Sequence, residues 1–180
     1  MRINEIFYSI QGEGVFTGTP AVFVRLAGCN LKCEFCDTNH QPYTDMSEED
    51  IVIEVNKFPT KHVIVTGGEP SLQLTDTLVD RLHHSGHMVH VETNGTNRLP
   101  DNVDWITCSP KTDRCELTPV NELKVVYQGQ DVESIASRFE AEYMCLQPCS
   151  GLNTAEVIEY VKRHPHWRLS LQTHKLINIP

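Results

Sequence analysis

The sequence contains no run of about 18 apolar residues, the minimum for a helix that crosses a bilayer. Its opening stretch, MRINEIFYSIQGEG, lacks the apolar core of a secretory leader and alternates as a strand does. A cytoplasmic protein with no membrane partner is the expectation. Positive charge is also in short supply: 15 Lys and Arg stand against 24 Asp and Glu, a formal charge of −9. Such a surface is poorly suited to displacing counterions from nucleic acid or an anionic membrane, so a small-molecule substrate and no nucleic-acid partner are expected. Nor is there an internal repeat, a low-complexity tract or a linker. One domain spanning 1–180 is therefore expected, long enough to bury a core without disulfide staples.

What the sequence does contain is a recurring strand and helix pattern. Runs rich in Val, Ile and Leu, bounded by Gly, Pro, Asn or Asp, predict strands at 3–10, 21–26, 62–66, 88–93, 105–108, 122–127, 144–147 and 168–172. Between them, 48–57, 76–85, 132–139 and 155–163 read as helices, with Ser47 and Asp50 in a capping box and Thr154 at an N-cap. The alternation implies an α/β architecture with a parallel sheet and right-handed crossovers. About four helices are too few for a closed eight-fold barrel, which takes ~250 residues, so a partial, open parallel β/α barrel with a reduced number of helices is expected. Ligands in such folds collect at the carboxyl ends of the strands. Here those ends carry the cysteine loop, TGGEP, ETNG, SPK and QPCSG.

Cysteines number seven, an odd count, and in a reducing compartment clustered thiols bind metal or do chemistry more often than they pair. Cys29, Cys33 and Cys36 fall together in GCNLKCEFCDT. A four-iron four-sulfur cluster takes one thiolate per iron, so three thiolates leave one iron open to a small molecule. Gly28 permits a tight reversal just before the loop. The competing reading is a non-catalytic zinc-binding interaction module, in which Cys33 and Cys36 join two of Cys108, Cys115, Cys145 and Cys149. None of those four forms a second C-x-x-C, and Cys108 and Cys145 lie in apolar strands, where cysteine serves as a small buried hydrophobe.

The spacing C-x-x-x-C-x-x-C with Phe35 before the last cysteine, followed by Gly67, Gly68, Glu69 and Pro70 after a strand, resembles the radical S-adenosylmethionine superfamily. The resemblance implies that Cys29, Cys33 and Cys36 hold a four-iron four-sulfur cluster whose open iron is chelated by S-adenosylmethionine. An electron from a donor such as a flavodoxin or ferredoxin then cleaves that cofactor to a 5′-deoxyadenosyl radical. Glu69 can pair with the cofactor's ammonium group, and Glu92 in ETNG can accept from ribose hydroxyls or serve a turn.

Further strings, SIQGEG at 9–14, PAVFVRLAGCNLKCEFCDT at 20–38, SPK at 109–111, QP at 147–148 and the closing THKLINIP, are similar to the 7-carboxy-7-deazaguanine synthase family. That resemblance runs from the first strand to the last residue. It implies conversion of 6-carboxy-5,6,7,8-tetrahydropterin to 7-carboxy-7-deazaguanine with loss of ammonia, on the route to queuosine and related deazapurines. It assigns substrate contacts to Ile10, Gln11, Gly12, Arg25, Thr66, His174 and the carboxylate of Pro180, with Glu13 close by. The cofactor side falls to Phe35, Cys36, Asp37, Gly68, Ser109, Pro110, Lys111, Gln147, Pro148, Cys149 and Ser150. Thr38 matches a position whose hydroxyl binds magnesium; closing the loop with a local hydrogen bond is its alternative role. Family members often carry a longer insertion between the first two cysteines, whereas the three residues here match the wider superfamily.

The residues themselves bear on these assignments. An amide and a carboxylate at a Gly-rich bend match the donor and acceptor edge of a pterin. Arg25 suits either a planar carboxylate or an edge-strand ion pair. Arg25, Glu13 and His174 are the catalytic candidates, with Lys175 a further acid or base. The cleft of so small a barrel implies a homodimer. A glycyl-radical activating enzyme shares the cysteine spacing and glycine string, but a peptide substrate has no use for SIQGEG, Arg25 or the terminal proline.

Overall fold

The computed structural model describes residues 1–40 and 42–180. Among the described residues nine strands form one sheet: β1 (Arg2–Ile10), β2 (Pro20–Leu26), β3 (Thr44–Asp45), β4 (His62–Gly67), β5 (Met88–Thr93), β6 (Trp105–Cys108), β7 (Val120–Tyr127), β8 (Ala141–Pro148) and β9 (Trp167–Leu169). Their order is β3-β1-β2-β4-β5-β6-β7-β8-β9, so the sheet is open, with β3 and β9 at its edges. From β2 to β9 neighbouring strands pair in parallel. The helices are α1 (Glu48–Val55), α2 (Asp76–His84), α3 (Val132–Ala136), α4 (Thr154–Arg163) and α5 (Thr173–Ile177). Among the described residues no helix is long and apolar enough to cross a membrane.

Side chains alternate across each strand, and here the two faces differ in kind. Outward, Val22, Val24, Val63, Val65, Val89 and Val91 pack against Ile51 and Val55 of α1 and Leu78, Val79 and Leu82 of α2. Leu123, Val125 and Leu146 continue that layer under Val132 of α3 and Val157 of α4. Inward, at the alternate positions, stand Arg25, Thr66, His90, Glu92, Thr107, Glu122, Lys124 and Gln147, most of them buried. Arg25, Thr66, Glu92, Lys124 and Gln147 of this face line a chamber, while Ala21, Phe23 and Ile64 on the same face form a small apolar cluster with Phe7 against it. Residues 11–19 cross the interior beneath it, where Phe16 sets its ring edge-on to His90 (4.5 Å) and Trp105 (4.8 Å).

Several local expectations are corrected. The parallel pattern does not extend to β1, which runs antiparallel to β2 and to the added short strand β3. Residues 11–19 are fewer than the dozen or so that a parallel crossover requires. Thr154 is the first helical residue, not the cap. The Asn153 side chain precedes it and is engaged elsewhere, accepting from Cys149 N and donating to Tyr127 O, both at 2.9 Å. The predicted helix over 132–139 stops at Ala136, since the chain must turn to enter β8. The strand foreseen at 168–172 ends at Leu169, and α5 follows it.

Candidate active site

The parallel strands β2, β4, β5, β6, β7 and β8 or the loops after them, together with β1 and the crossing segment, enclose a cavity of about 660 Å³. That volume suits ligands of cofactor and small-substrate size. Its lining includes Cys29, Cys33, Phe35, Cys36, Asp37 and Thr38 from the loop after β2, together with Ile10, Gln11, Gly12, Glu13, Arg25, Thr66, His174 and Pro180. Gly68, Glu92, Ser109, Lys111, Gln147, Pro148, Cys149 and Ser150 line it as well. Ser150 holds a left-handed backbone (φ 49°), an uncommon conformation for a residue with a side chain.

Glycines lock the cysteine loop to β4. Gly68 N donates to Leu26 O at 3.0 Å and Glu69 N to Gly28 O at 2.9 Å. A Cβ on Gly68 would lie 1.9 Å from Gly28 O, and one on Gly67, whose φ is +123°, 2.2 Å from Leu26 O. The bare backbone of TGGEP is thus needed for contact with the root of the loop as well as for lining the cavity.

Two residues placed at the cofactor by resemblance do not border the cavity. Glu69 is fully buried: Oε1 accepts from Ser71 N (3.0 Å) and Thr93 Oγ1 (2.7 Å), and Oε2 from Asn94 N (2.7 Å). It ties the end of β4 to that of β5 from behind the wall. Pro110 is likewise absent from the lining, although Ser109 and Lys111 on either side of it are present. Lys111 donates to Ser109 Oγ at 2.6 Å and sits 5.5 Å above the Phe35 ring. Burial pushes its pKa down.

The far side is held by the last helix. Thr173 N donates to Gly12 O at 2.9 Å, and a Cβ on Gly12 would fall 2.3 Å from His174 Nδ1, so glycine is what lets the histidine approach. Ser9 Oγ donates to Pro180 O at 2.8 Å. Asp37 accepts from Gln172 Nε2 (3.0 Å) and Lys175 Nζ (2.5 Å), joining the cysteine loop to α5. Burial alone would raise the Asp37 pKa, but those two donors outweigh it and hold the carboxyl below its ordinary value. Arg25 gives Nε to Glu5 Oε1 at 2.7 Å and lies over the Phe7 ring at 5.4 Å, so the ion pair and the cavity-facing position coexist.

Sequence reasoning missed Lys124, Gln172 and Asn94 in the lining. Lys124 had a signal, a charge alternating with core valines and leucines in a central strand. Its Nζ donates to Glu13 Oε2 at 2.5 Å and Glu92 Oε1 at 3.5 Å. Burial opposes the ammonium, but Glu13, Glu92 and Glu122 overcome it and raise the Lys124 pKa. Burial likewise opposes the Glu13 carboxylate, and Lys124 overcomes that, lowering the Glu13 pKa.

The donor set fits an iron–sulfur cluster. Cys29, Cys33 and Cys36 are free thiols on one wall. Burial, with lesser repulsion from Glu69, Cys33 and Cys36, pushes the Cys29 thiol up, a penalty that cationic iron relieves. Each iron of a cluster takes one thiolate, so the three need not converge on a point. Among the described residues no three His, Cys, Asp or Glu side chains are grouped to hold a single metal ion. Cys108 and Cys145 are buried within strands.

The chain matches known proteins over most of its length. A model of the radical SAM superfamily matches residues 23–125. A 7-carboxy-7-deazaguanine synthase from Bacteroides thetaiotaomicron is 59% identical over 179 residues, covering 99% of this chain and 98% of that protein. Another from Burkholderia multivorans is 42% identical over 208 residues, with 99% and 98% covered. The crystal structure of QueE from Escherichia coli is similar with a TM-score of 0.82 at 30% identity, over 96% of this chain and 94% of that one. The chain belongs to the radical SAM superfamily and, within it, to the 7-carboxy-7-deazaguanine synthases.

Proposed function

We propose that this enzyme converts 6-carboxy-5,6,7,8-tetrahydropterin to 7-carboxy-7-deazaguanine with loss of ammonia, in the cytoplasm, as a step toward queuosine and related 7-deazapurines. The observation that carries the reading is one cavity joining three free thiols to Gln11, Glu13, Arg25, Thr66 and His174. When bound, the four-iron four-sulfur cluster and S-adenosylmethionine supply a 5′-deoxyadenosyl radical. Cys29, Cys33 and Cys36 would hold the cluster, and Phe35, Asp37, Gly68, Ser109, Lys111 and the 147–150 segment would line the cofactor's place in the cavity. Glu69 and Pro110 support that wall from behind.

The other residues bind, orient and shield the pterin. Ile10, Gln11, Gly12 and Thr66 meet the ring. Glu5 and Phe7 fix the plane of Arg25, whose remaining N–H groups form a fork suited to the substrate carboxylate. The Thr38 hydroxyl with substrate oxygens makes a site for magnesium, which prefers hard oxygen ligands. Pro180 lines the same cavity as a further substrate contact, and Glu13 and His174 are placed to move protons as ammonia leaves. The chain acts as one domain in a homodimer that receives electrons from a flavodoxin or ferredoxin; exposed Leu152, Leu176 and Ile177 offer apolar surface for pairing.

The test is anaerobic incubation of reconstituted enzyme with S-adenosylmethionine, a reductant, magnesium and 6-carboxytetrahydropterin, with products read by mass spectrometry. Formation of the deazaguanine is expected. Cofactor cleavage with no deazaguanine would overturn the substrate assignment, and a colourless zinc protein would overturn the chemistry.

A further inference from the structure

One cation is buried in the floor of the cavity. Lys124 lies in mid-strand on β7, its side chain 5% exposed, with Leu123 and Val125 turned to the opposite face. Lysine is rarely buried unless carboxylates compensate for lost hydration, and here two do so from different parts of the fold. Glu13 comes from the segment crossing the interior and Glu92 from β5, so one ammonium ties both to β7.

Neutral donors complete the orientation of each carboxylate. Gln172 Nε2 donates to Glu13 Oε1 at 3.0 Å. Gln11 Nε2 donates to Glu92 Oε1 at 2.9 Å and Thr66 Oγ1 to Glu92 Oε2 at 3.1 Å. Lys124, Glu13 and Glu92 all border the cavity. Two carboxylates sharing one ammonium leave the floor rich in acceptors. The other titratable groups around this knot are Glu122 on the same strand, Cys145 on β8, Lys111 after β6 and His174 on α5.

We propose that Lys124 is a positioning and specificity-determining residue. By holding the Glu13 and Glu92 side chains in place as acceptors, it makes the floor select a heterocycle whose edge carries adjacent N–H donors, such as the 2-amino-4-oxo edge of a pterin. The proposal rests on the substrate reading above. A fixed carboxylate accepts two parallel N–H bonds from such an edge, whereas a 2-oxo ring sets carbonyl lone pairs against it. Sites built to accept from a substrate N–H discriminate strongly against analogues that lack it, because their polar groups are left unpaired.

The test compares binding of 6-carboxypterin with that of 6-carboxylumazine, its 2-oxo counterpart, to the holoenzyme by calorimetry. Wild type is expected to prefer the pterin. Lys124→Met is expected to weaken pterin binding about thirtyfold or more, the usual consequence of removing one member of a buried charge pair, and to bring the two ligands to similar affinity. Lys124→Arg retains most of the preference. Iron content and thermal unfolding are measured on each variant.

Should Lys124→Met fail to fold, the charge-balanced Lys124→Met/Glu13→Gln variant replaces it and is expected to remain unselective. Undiminished preference in either folded variant, or an equal loss for both ligands, overturns the proposal. So does wild-type protein that binds the two analogues equally, whatever the variants do. Turnover of 6-carboxytetrahydropterin by the wild type tests the substrate reading separately.

Discussion

The rim and the floor of the cavity are built by opposite means. At the rim, backbone meets backbone: Gly67 and Gly68 press against Leu26 and Gly28, and the cysteine loop hangs from that junction. At the floor, charged side chains from β5, β7 and the crossing segment meet in a buried knot around Lys124. The difference follows from what each half must hold. A loop wrapped round a metal cluster needs close backbone approach and freedom at its tip, whereas recognition of a planar ring needs acceptors that do not move.

Separate construction predicts separate failure. The largest effect is expected from Cys33→Ala, which removes one of the three thiolates. Iron should fall from about four per chain toward none, with loss of S-adenosylmethionine cleavage, while 6-carboxypterin still binds the floor. Loss of both binding functions together would break the contrast. Gly68→Ala strikes the junction itself, because its Cβ would meet Gly28 O at 1.9 Å and both partners are backbone. A stability loss of about 3 kcal/mol in urea unfolding is expected, as for other overpacked sites, with weaker retention of the cluster.

Most of the rim could be read from the chain, because its chemistry sits in short strings. GCNLKCEFCDT, TGGEP and SPK each keep their residues adjacent in sequence, and the strands that carry them have plain apolar runs. The floor was legible in part: Gln11 and Glu13 stand in SIQGEG and Glu92 in ETNG, but nothing local joined them to Lys124 or Gln172. Its members, Gln11, Glu13, Glu92, Lys124 and Gln172, are scattered over 161 positions of separation and meet only when the sheet curls inward. Lys124 sat inside an expected strand with its alternation visible, but a single strand does not say which face is a chamber. Helix α5 left no local mark, since no side chain caps it and its start is fixed by Thr173 N on Gly12 O.

Glu69 sharpens the comparison, because its motif belongs to the rim while its contacts are internal. Its carboxylate receives three donors, so Glu69→Gln turns an amide N–H₂ toward at least one of them. The expected cost is about 2 kcal/mol of stability, from loss of a charged hydrogen bond in a buried site. Calorimetry with S-adenosylmethionine should show little change in affinity for the folded variant. A large loss of affinity at unchanged stability would instead return Glu69 to direct contact with the cofactor.

The smallest expected effect lies below the floor, where the inward face changes from charged to neutral. His90 is 3% exposed, its Nε2 stands 2.9 Å from His62 Nδ1, and Phe16 covers it edge-on. Burial first, and repulsion from His62 second, lower its pKa from 6.5 to about 4 against the pull of Asp104. Between those values the unfolded chain takes up a proton that the folded chain refuses, so stability falls as pH falls. One unit below pH 6.5 the loss is about 1.4 kcal/mol. Glu13 is held below its ordinary 4.5 by Lys124, so its contribution is lost only at lower pH. Glu122, pushed up by burial, works in the opposite direction, which makes the difference between proteins more informative than the raw slope. Urea unfolding at pH 7.5 and 5.5 should therefore show a smaller drop for His90→Gln than for wild type, and equal drops would place the acid sensitivity in the charged floor instead.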